Sequence, residues 1–458
     1  MTAPYDSSAS MPAASLAWLN TILGERLSDQ LRLTQSEQGY LLLLLPGSDR
    51  NIRIKSDYAT FSQAHSDLPC GHWDAAVEGW QPAISLPLPT PGKQHIPYPL
   101  IEETAAGWTM HYDILGLIYW MLSRQEEAGR TDLDRHDRFP ATASHAYKHG
   151  YLERPLADEW IAILIQIVRR TWPQLSLNQH TFSITLSHDV DTPARYGFLS
   201  FMQLLRVMAS DIIRRHKLVD TFQTPTIWSH SKASIHASDP YNTFNWIMDM
   251  SERSAITSAF YFICGRTDPS RDALYDPGHP AIRELMRRIH ARGHEIGLHP
   301  SYNTYKKPDA IVSEAHELIN ICHEEGIAQQ SWGGRMHYLR WQTPTTLYGW
   351  EQAGMAYDST LSYADRPGFR CGTCHEYPAF DPVAGKALRL RIRPLIAMEC
   401  TVMAPRYMNL GSGAIALQKF TQLKASCRAV NGNFTLLWHN SLLEKPQERA
   451  LYQRVLLA

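Results

Sequence analysis

The stretch Thr181–Pro193, TFSITLSHDVDTP, constrains this chain more than any other. Phe182-Ser183-Ile184-Thr185-Leu186 alternates apolar and β-branched residues in the manner of a buried strand. The run then meets Asp189 and Asp191, followed by Thr192-Pro193, which cannot continue a central strand. In extended chain residues i and i+2 point to the same side, so both carboxylates face one pocket. A lone D-x-D is usually a solvated acidic turn. What raises this one is what the rest of the chain offers to pair with it.

From Thr181 onward strand patterns alternate with helical ones, the signature of a parallel α/β sheet or barrel. Strands are expected at Phe182–Leu186, Ser258–Cys264, Glu295–Leu298, Ala356–Tyr357, Leu388–Ile392 and Asn433–Trp438. Helices are expected at Phe198–Arg215, Tyr241–Glu252, Pro280–Arg292, Asp309–Glu325 and Thr343–Gly354. In such folds the active site sits at the C-terminal ends of the strands. Three of these strands end in an acid or a metal ligand: Asp189/Asp191, His299 and His439.

The chain has 458 residues, longer than one typical domain, so two domains are expected, 1–180 and 181–458. In the first, Tyr40–Leu45 and Asn51–Lys55 read as strands joined by a turn. Gln81–Pro99 is Pro-rich and reads as loop, and helical patterns follow at His111–Ala128 and Pro155–Arg170. Asp134–His149 is charged and His-rich, and no catalytic set is legible in this half, which reads as an α+β accessory domain. With 44 basic against 45 acidic residues and no basic block, no nucleic-acid partner is expected. Met1–Ser15 lacks the features of a signal peptide, and no apolar run approaches the roughly 20 residues that span a bilayer. Seven cysteines in a chain this long do not suggest a disulfide scaffold, so the expected location is the cytoplasm.

His294 and His299 are separated by an odd interval, so an extended chain sends them to opposite faces; His299, at the strand's end, is the better ligand. Aspartate and imidazole from neighbouring strands suit zinc or a similar divalent ion with open positions for water and substrate.

These residues resemble the NodB-homology polysaccharide deacetylases, carbohydrate esterase family four, over roughly Thr181–Ser441. The resemblance implies a distorted (β/α) barrel, with Asp189 as catalytic base and Asp191 as metal ligand. The family's His-x-x-x-His motif binds metal through both histidines; here it reads His299-Pro300-Ser301-Tyr302-Asn303, so Asn303 stands where the second ligand is expected. Gly334-Arg335-Met336-His337-Tyr338 is similar to the third motif, Arg-x-x-Tyr. It implies that Arg335 orients Asp189, that the backbone N–H of Tyr338 meets the developing oxyanion, and that His337 touches substrate. Leu436-Leu437-Trp438-His439-Asn440 resembles the last motif, Leu-x-His, with His439 as general acid and Leu437 and Trp438 lining the substrate pocket. Asp358 closes a short strand as a supporting residue.

Two further patterns compete. Cys371-Gly372-Thr373-Cys374-His375 matches the c-type haem attachment pattern, and is read as a chance match in a loop. Leu388–Arg393 alternates strictly, so Arg389, Arg391 and Arg393 share one face, either of a solvated edge strand or of a phosphate-binding surface for a diphosphate-linked sugar. The activity implied is metal-dependent hydrolysis of the amide of an N-acetylated sugar or surface-polysaccharide precursor. The alternatives are a catalytically silent carbohydrate-binding or scaffold protein, and hydrolysis of another non-peptide C–N amide bond.

Overall fold

The computed structural model describes residues 10–215 and 218–457. Residues 1–9 of the polar N-terminal stretch therefore lie outside the described residues. Among the described residues no helix is long and apolar enough to cross a membrane.

The fold is mixed α/β, built on a nine-stranded sheet. Its strands are β1 Ser183–Val190, β2 Ser258–Phe262, β3 Glu295–Leu298, β4 Gly333–Gly334, β5 Tyr357–Asp358, β6 Tyr377–Asp381, β7 Lys386–Ile392, β8 Ala397–Met398 and β9 Asn433–Leu437. Their spatial order is β6-β7-β5-β4-β3-β2-β1-β9-β8. Every neighbouring pair is parallel except β6–β7. Parallel neighbours require crossovers, which the helices between them supply. Helix Pro280–Ala291 starts with proline at its first turn and buries Ala281, Ile282, Leu285, Met286 and Ile289, one helical stripe. Helix Pro308–Glu324 buries Ile311, Ala315, Leu318 and Cys322 in the same way.

Of the expected distorted (β/α) barrel the structure shows the mixed α/β sheet; no pairing joins β6 to β8 among the described residues, so no closed barrel is found there. At the β6 edge, helix Ala13–Arg26 seats Trp18 on Phe380 with ring centroids 4.7 Å apart, and the indole N–H donates to the carbonyl of Pro378 (2.9 Å). A covered edge has no need of closure to protect its hydrogen-bonding groups.

Three strands of this sheet were not anticipated: β4, β6 and β8. Gly333-Gly334 reads as a turn by composition, yet it is a strand because three backbones crowd there. A Cβ at Gly334 would collide with the carbonyl of Leu298 on β3, and one at Gly333 with the ring of Tyr357 on β5. The arginine strand is also corrected: β7 lies inside the sheet, and Arg389, Arg391 and Arg393 pair with Glu351, Glu25 and Glu376. Arg391 and Arg393 are partly buried in these pairs, while Arg389 stays exposed to solvent.

The first 180 residues carry a five-stranded sheet in the order Arg32–Gln35, Tyr40–Leu44, Asn51–Lys55, Gly107–Met110, Ile101–Thr104. Buried helices Ile114–Leu122 and Leu156–Thr171 accompany it. Within the Pro-rich stretch, Leu88–Pro91 pairs with Cys70–Trp73. One contiguous apolar cluster runs from Met11 to Leu456, so no break in the core marks residue 180. Polar contacts cross it too: the Asp158 carboxylate, which pairs with Arg26 within the first half (2.5 Å), accepts from Thr373 and from the Cys374 N–H of the second. Cys371 and Cys374 are thus buried structural residues at the join of the two halves.

Gly334→Ala is expected to destabilise the protein by about 1–3 kcal/mol or more, because the added methyl must part β3 from β4. Urea unfolding of the variant measures this.

Candidate active site and metal centre

The parallel register gathers chemistry at one edge of the sheet. The C-terminal end of β1 brings Asp189 and Asp191, β3 brings His299, β4 brings Arg335 and His337, β8 brings Glu399 and β9 brings His439. Around them lies a cavity of about 480 Å³ lined by Asp189, Asp191, His299, His337, Tyr338 and His439, with Arg138, Arg271 and Arg406 also on its wall.

At the centre, Oδ1 of Asp191 is buried and makes no hydrogen bond. His299 Nε2 lies 3.2 Å from it and His337 Nε2 3.7 Å. The opposite ring nitrogens are both engaged. His299 Nδ1 pairs with the carbonyl of Arg335 (2.6 Å), and His337 Nδ1 with Oδ1 of Asp272 (3.0 Å). A carbonyl only accepts, so Nδ1 of His299 carries the proton and its Nε2 presents a lone pair; the Asp272 carboxylate favours the same tautomer in His337. One carboxylate oxygen and two imidazole nitrogens within 4.8 Å of one another fit a divalent ion. Burial disfavours charge on His337, but Asp191 and Asp272 outweigh it and raise its pKa to about 9. Burial likewise works against the Asp191 carboxylate, yet His337 and His299 hold it well below the ordinary carboxylate range.

The residues expected as metal ligands are thus corrected at one position. Asn303 does not line the cavity. Its amide nitrogen donates to the Thr267 carbonyl (3.1 Å) and its oxygen accepts from Arg340 (3.1 Å). His337, expected to touch substrate, stands beside Asp191 and His299 instead. No sequence spacing signals this, because the loop after β4 delivers His337, not the loop after β3.

On one flank, Arg335 is fully buried and donates from Nη1 to Oδ1 of Asp189 (2.8 Å). It also binds the Ser187 hydroxyl (2.9 Å) and both oxygens of Ser359. Asp189 Oδ2 remains 3.7 Å from His299 Nε2. Tyr338 and Leu339 hold left-handed backbone (φ 62° and 56°), a conformation costly for side chains of this size and concentrated at functional loops. Arg138, from the His-rich stretch of the first half, donates to the Tyr338 carbonyl (2.8 Å) and braces that turn. The half that showed no catalytic set therefore supplies part of the cavity wall.

On the other flank, His439 Nδ1 pairs with Glu399 Oε1 (2.5 Å), while its Nε2 lies 3.6 Å from Asp191 Oδ2. Burial opposes the imidazolium, but Glu399 and then Asp191 raise the His439 pKa well above its ordinary value. Glu399 and Asp272 were not identified from sequence; an acid directly after the short apolar run Leu395–Met398 was the available signal for Glu399. Trp438 is corrected: it is fully buried against Phe420 and Tyr452 and donates to the Leu442 carbonyl, because alternate residues of a strand face opposite ways. Leu437 lies beneath the cavity, packed with Leu339 and Met398, which line it. Asp358 bonds Thr360 and shapes the turn that holds Arg335.

A second group, Asp158, Cys374 and His375, also has metal-ligand atoms close together. Its donors are already used. Arg26 sits on Asp158, and His375 Nε2 pairs with the Val430 carbonyl (3.2 Å).

Residues 18–173 match the model of a family of unknown function (DUF7033). No curated protein matches the chain. Among solved structures, a putative polysaccharide deacetylase from Mycobacterium smegmatis is similar over 61% of this chain and 84% of its own, at 17% identity and a TM-score of 0.38. Puue allantoinase is similar over 60% and 83%, at 13% identity and a TM-score of 0.36. A probable polysaccharide deacetylase from Pseudomonas aeruginosa PAO1 is similar over 61% and 84%, at 15% identity and a TM-score of 0.34.

His337→Ala and Asp191→Ala are expected to abolish binding of zinc in calorimetric titration, and Asn303→Ala to leave it within a few-fold of the parent. A second expectation concerns pH. In metal-free protein His337 has a folded-state pKa of about 9, above its ordinary 6.5. A raised imidazole pKa stabilises the folded state below about pH 6.5, and that contribution is lost as pH rises through 9. Urea midpoints of the chelator-treated parent should fall over this window relative to His337→Gln.

Proposed function

We propose that this protein is a metal-dependent hydrolase that removes the acetyl group from the nitrogen of an N-acetylated sugar or sugar-polymer precursor. The observation that carries this reading is the convergence of Asp191, His299 and His337, flanked by an arginine-held carboxylate and a glutamate-held imidazole. In this reading Asp191, His299 and His337 hold a divalent ion, zinc being the best match to an O/N/N donor set. When bound, such an ion polarises the acyl oxygen and lowers the pKa of a water it carries.

The protein's own residues then divide the proton work. Asp189, oriented through Oδ1 by Arg335, accepts the proton of the attacking water. The N–H of Tyr338 faces the oxygen that gains negative charge, positioned by its left-handed turn. His439, kept protonated by Glu399, delivers a proton to the departing nitrogen, which would otherwise leave as an unstable anion. Leu437 supports the apolar floor under the acetyl methyl through Leu339 and Met398.

The silent-binder reading rested on a lost ligand at Asn303, and with His337 beside the other two that reason falls away. The reading of another C–N amide has an observation in its favour. Arg138, Arg271 and Arg406 ring the cavity, and Arg406 meets only the Cys400 sulfur and the Tyr407 ring, with no carboxylate partner among the described residues. That surround suits a substrate bearing an anionic group near its acylated nitrogen. We assign residues 1–180 to an α+β unit that buttresses the catalytic half at 181–458, and place the protein in the cytoplasm, where activated precursors are made.

Release of acetate from a panel of neutral and anionic N-acetyl sugars, with metal content measured on the same samples, tests the proposal. His439→Ala should lower kcat by about 10²–10⁴ while the metal stays bound. Glu399→Gln should move the alkaline limb of the kcat–pH profile toward neutrality: His439 must be protonated to act, and loss of the carboxylate lowers its pKa. Stoichiometric metal with no hydrolysis of any panel member, or parent-level turnover in His439→Ala, overturns the reading.

A further inference from the structure

Helix Pro308–Glu324 buries one carboxyl among its apolar residues, Glu314, which the proposed chemistry does not use. Both of its oxygens meet Ser301, two residues beyond His299. Oε2 accepts from the Ser301 N–H (2.8 Å), and Oε1 lies 2.5 Å from the Ser301 hydroxyl. From there the contacts run on toward the metal centre. The Ser301 hydroxyl lies 2.9 Å from that of Thr267, and the Thr267 hydroxyl 3.2 Å from Oδ2 of Asp272. Oδ1 of that carboxylate meets Nδ1 of His337 (3.0 Å). Glu314, Ser301, Asp272 and His337 are all buried, and Thr267 is the one exposed member. The chain of contacts ties a helix to the loops that follow β2, β3 and β4.

Hydrogens can be counted along it. Three oxygen-to-oxygen contacts, Glu314–Ser301, Ser301–Thr267 and Thr267–Asp272, need three hydrogens, and the two hydroxyls supply two. Asp272 is an acceptor on both oxygens, from the N–H groups of Tyr302 and Asp268 (2.7 Å each). The third hydrogen therefore belongs to Glu314. With every hydroxyl pointing toward Asp272, Thr267 is saturated: it accepts from Ser301 and from the Asn303 N–H (2.9 Å) and donates to Asp272. Burial agrees, pushing the Glu314 carboxyl up to about 7. Glu314 also lines a second cavity, of about 610 Å³, which shares no wall residue with the first. The titratable groups on that wall are Cys264, Arg266, Tyr275, Asp276 and Glu317, and among the described residues the carboxyl's hydrogen bonds go to Ser301 alone. A Cβ at Gly265 would collide with Oε1 of Glu314, so that glycine leaves the carboxyl its place.

We propose that Glu314 is a positioning residue for the metal centre: as a neutral acid it turns the Ser301 and Thr267 hydroxyls toward Asp272, and so fixes the carboxylate that aims His337. The inference rests on the reading of His337 as a metal ligand. The outer partner of a ligating imidazole sets its tautomer and ring orientation, and is worth about 10–100-fold in metal affinity. A carboxylate that keeps its hydroxyl donor stays against the imidazole; one that loses it is free to turn.

Calorimetric titration of the full chain with zinc, just below neutral pH, tests this. Glu314→Gln keeps a donor toward the Ser301 hydroxyl and an acceptor for its N–H, and should bind zinc within a few-fold of the parent. Glu314→Leu strands Ser301 and should weaken zinc by roughly tenfold. Thr267→Val breaks the chain at its exposed link and should cost as much, and the double variant Thr267→Val/Glu314→Leu no more than either. In metal-free protein, the downfield imidazole N–H resonance that disappears in His337→Gln should shift in Glu314→Leu and in Thr267→Val, and stay in place in Glu314→Gln. Parent-like zinc affinity and resonance in Glu314→Leu or in Thr267→Val overturn the proposal. So do additive losses in the double variant, or a loss in Glu314→Gln equal to that in Glu314→Leu. If Glu314→Leu does not fold, Thr267→Val and Glu314→Gln decide by the same readouts. A parent that binds no zinc removes the metal reading, and the metal-free resonance still decides whether Glu314 acts on His337.

Discussion

A single buried guanidinium ties the site together. Arg335 has no solvent exposure, and its nitrogens reach Asp189 and Ser187 at the end of β1 and Ser359 just after β5, while its carbonyl anchors His299 after β3. A buried cation is tolerable only when every donor is matched, and removing one member of such a pair costs about 3–5 kcal/mol. Four strand ends are held to one another because this charge has nowhere else to go. The spacing of the proposed base and ligands is thus a consequence of satisfying Arg335, and the glycines of β4 let it approach closely enough.

Around that centre the same logic repeats with opposite sign. Glu399 holds His439 and Asp272 holds His337, each a buried acid directing an imidazole by its far nitrogen. Asp191 alone points an unmatched oxygen at two lone pairs. An unpaired buried carboxylate oxygen facing two imidazoles is the arrangement a cation would complete. The first 180 residues enter the same economy through Arg138, which braces the strained Tyr338 turn from outside the large sheet.

How much of this was legible beforehand differs residue by residue. The strand ends bearing Asp189, Asp191, His299 and His439 were visible, since apolar runs terminating in polar side chains are a local pattern. β4 was not, because two glycines look like a turn unless one knows that neighbouring backbones press on them. Asn303 was proposed as a ligand on spacing within one loop, and its amide turned out to be held by Arg340 and Thr267. Trp438 was placed in the pocket by its neighbourhood to His439, though strand alternation puts it in the core.

What the amino-acid sequence determined by itself is periodic and local: the longer apolar strands and amphipathic helices of the second half, that the chain is mixed α/β, and which of those strand ends carry acids and imidazoles. What only the tertiary structure decided is which of those ends meet. His337 joins Asp191 and His299, Glu399 finds His439, and Arg138 crosses from the first half because strand order and crossover packing set distances between residues remote in the chain. Edge strand β6 lies under helix Ala13–Arg26, a contact between residues more than three hundred positions apart that no local period encodes.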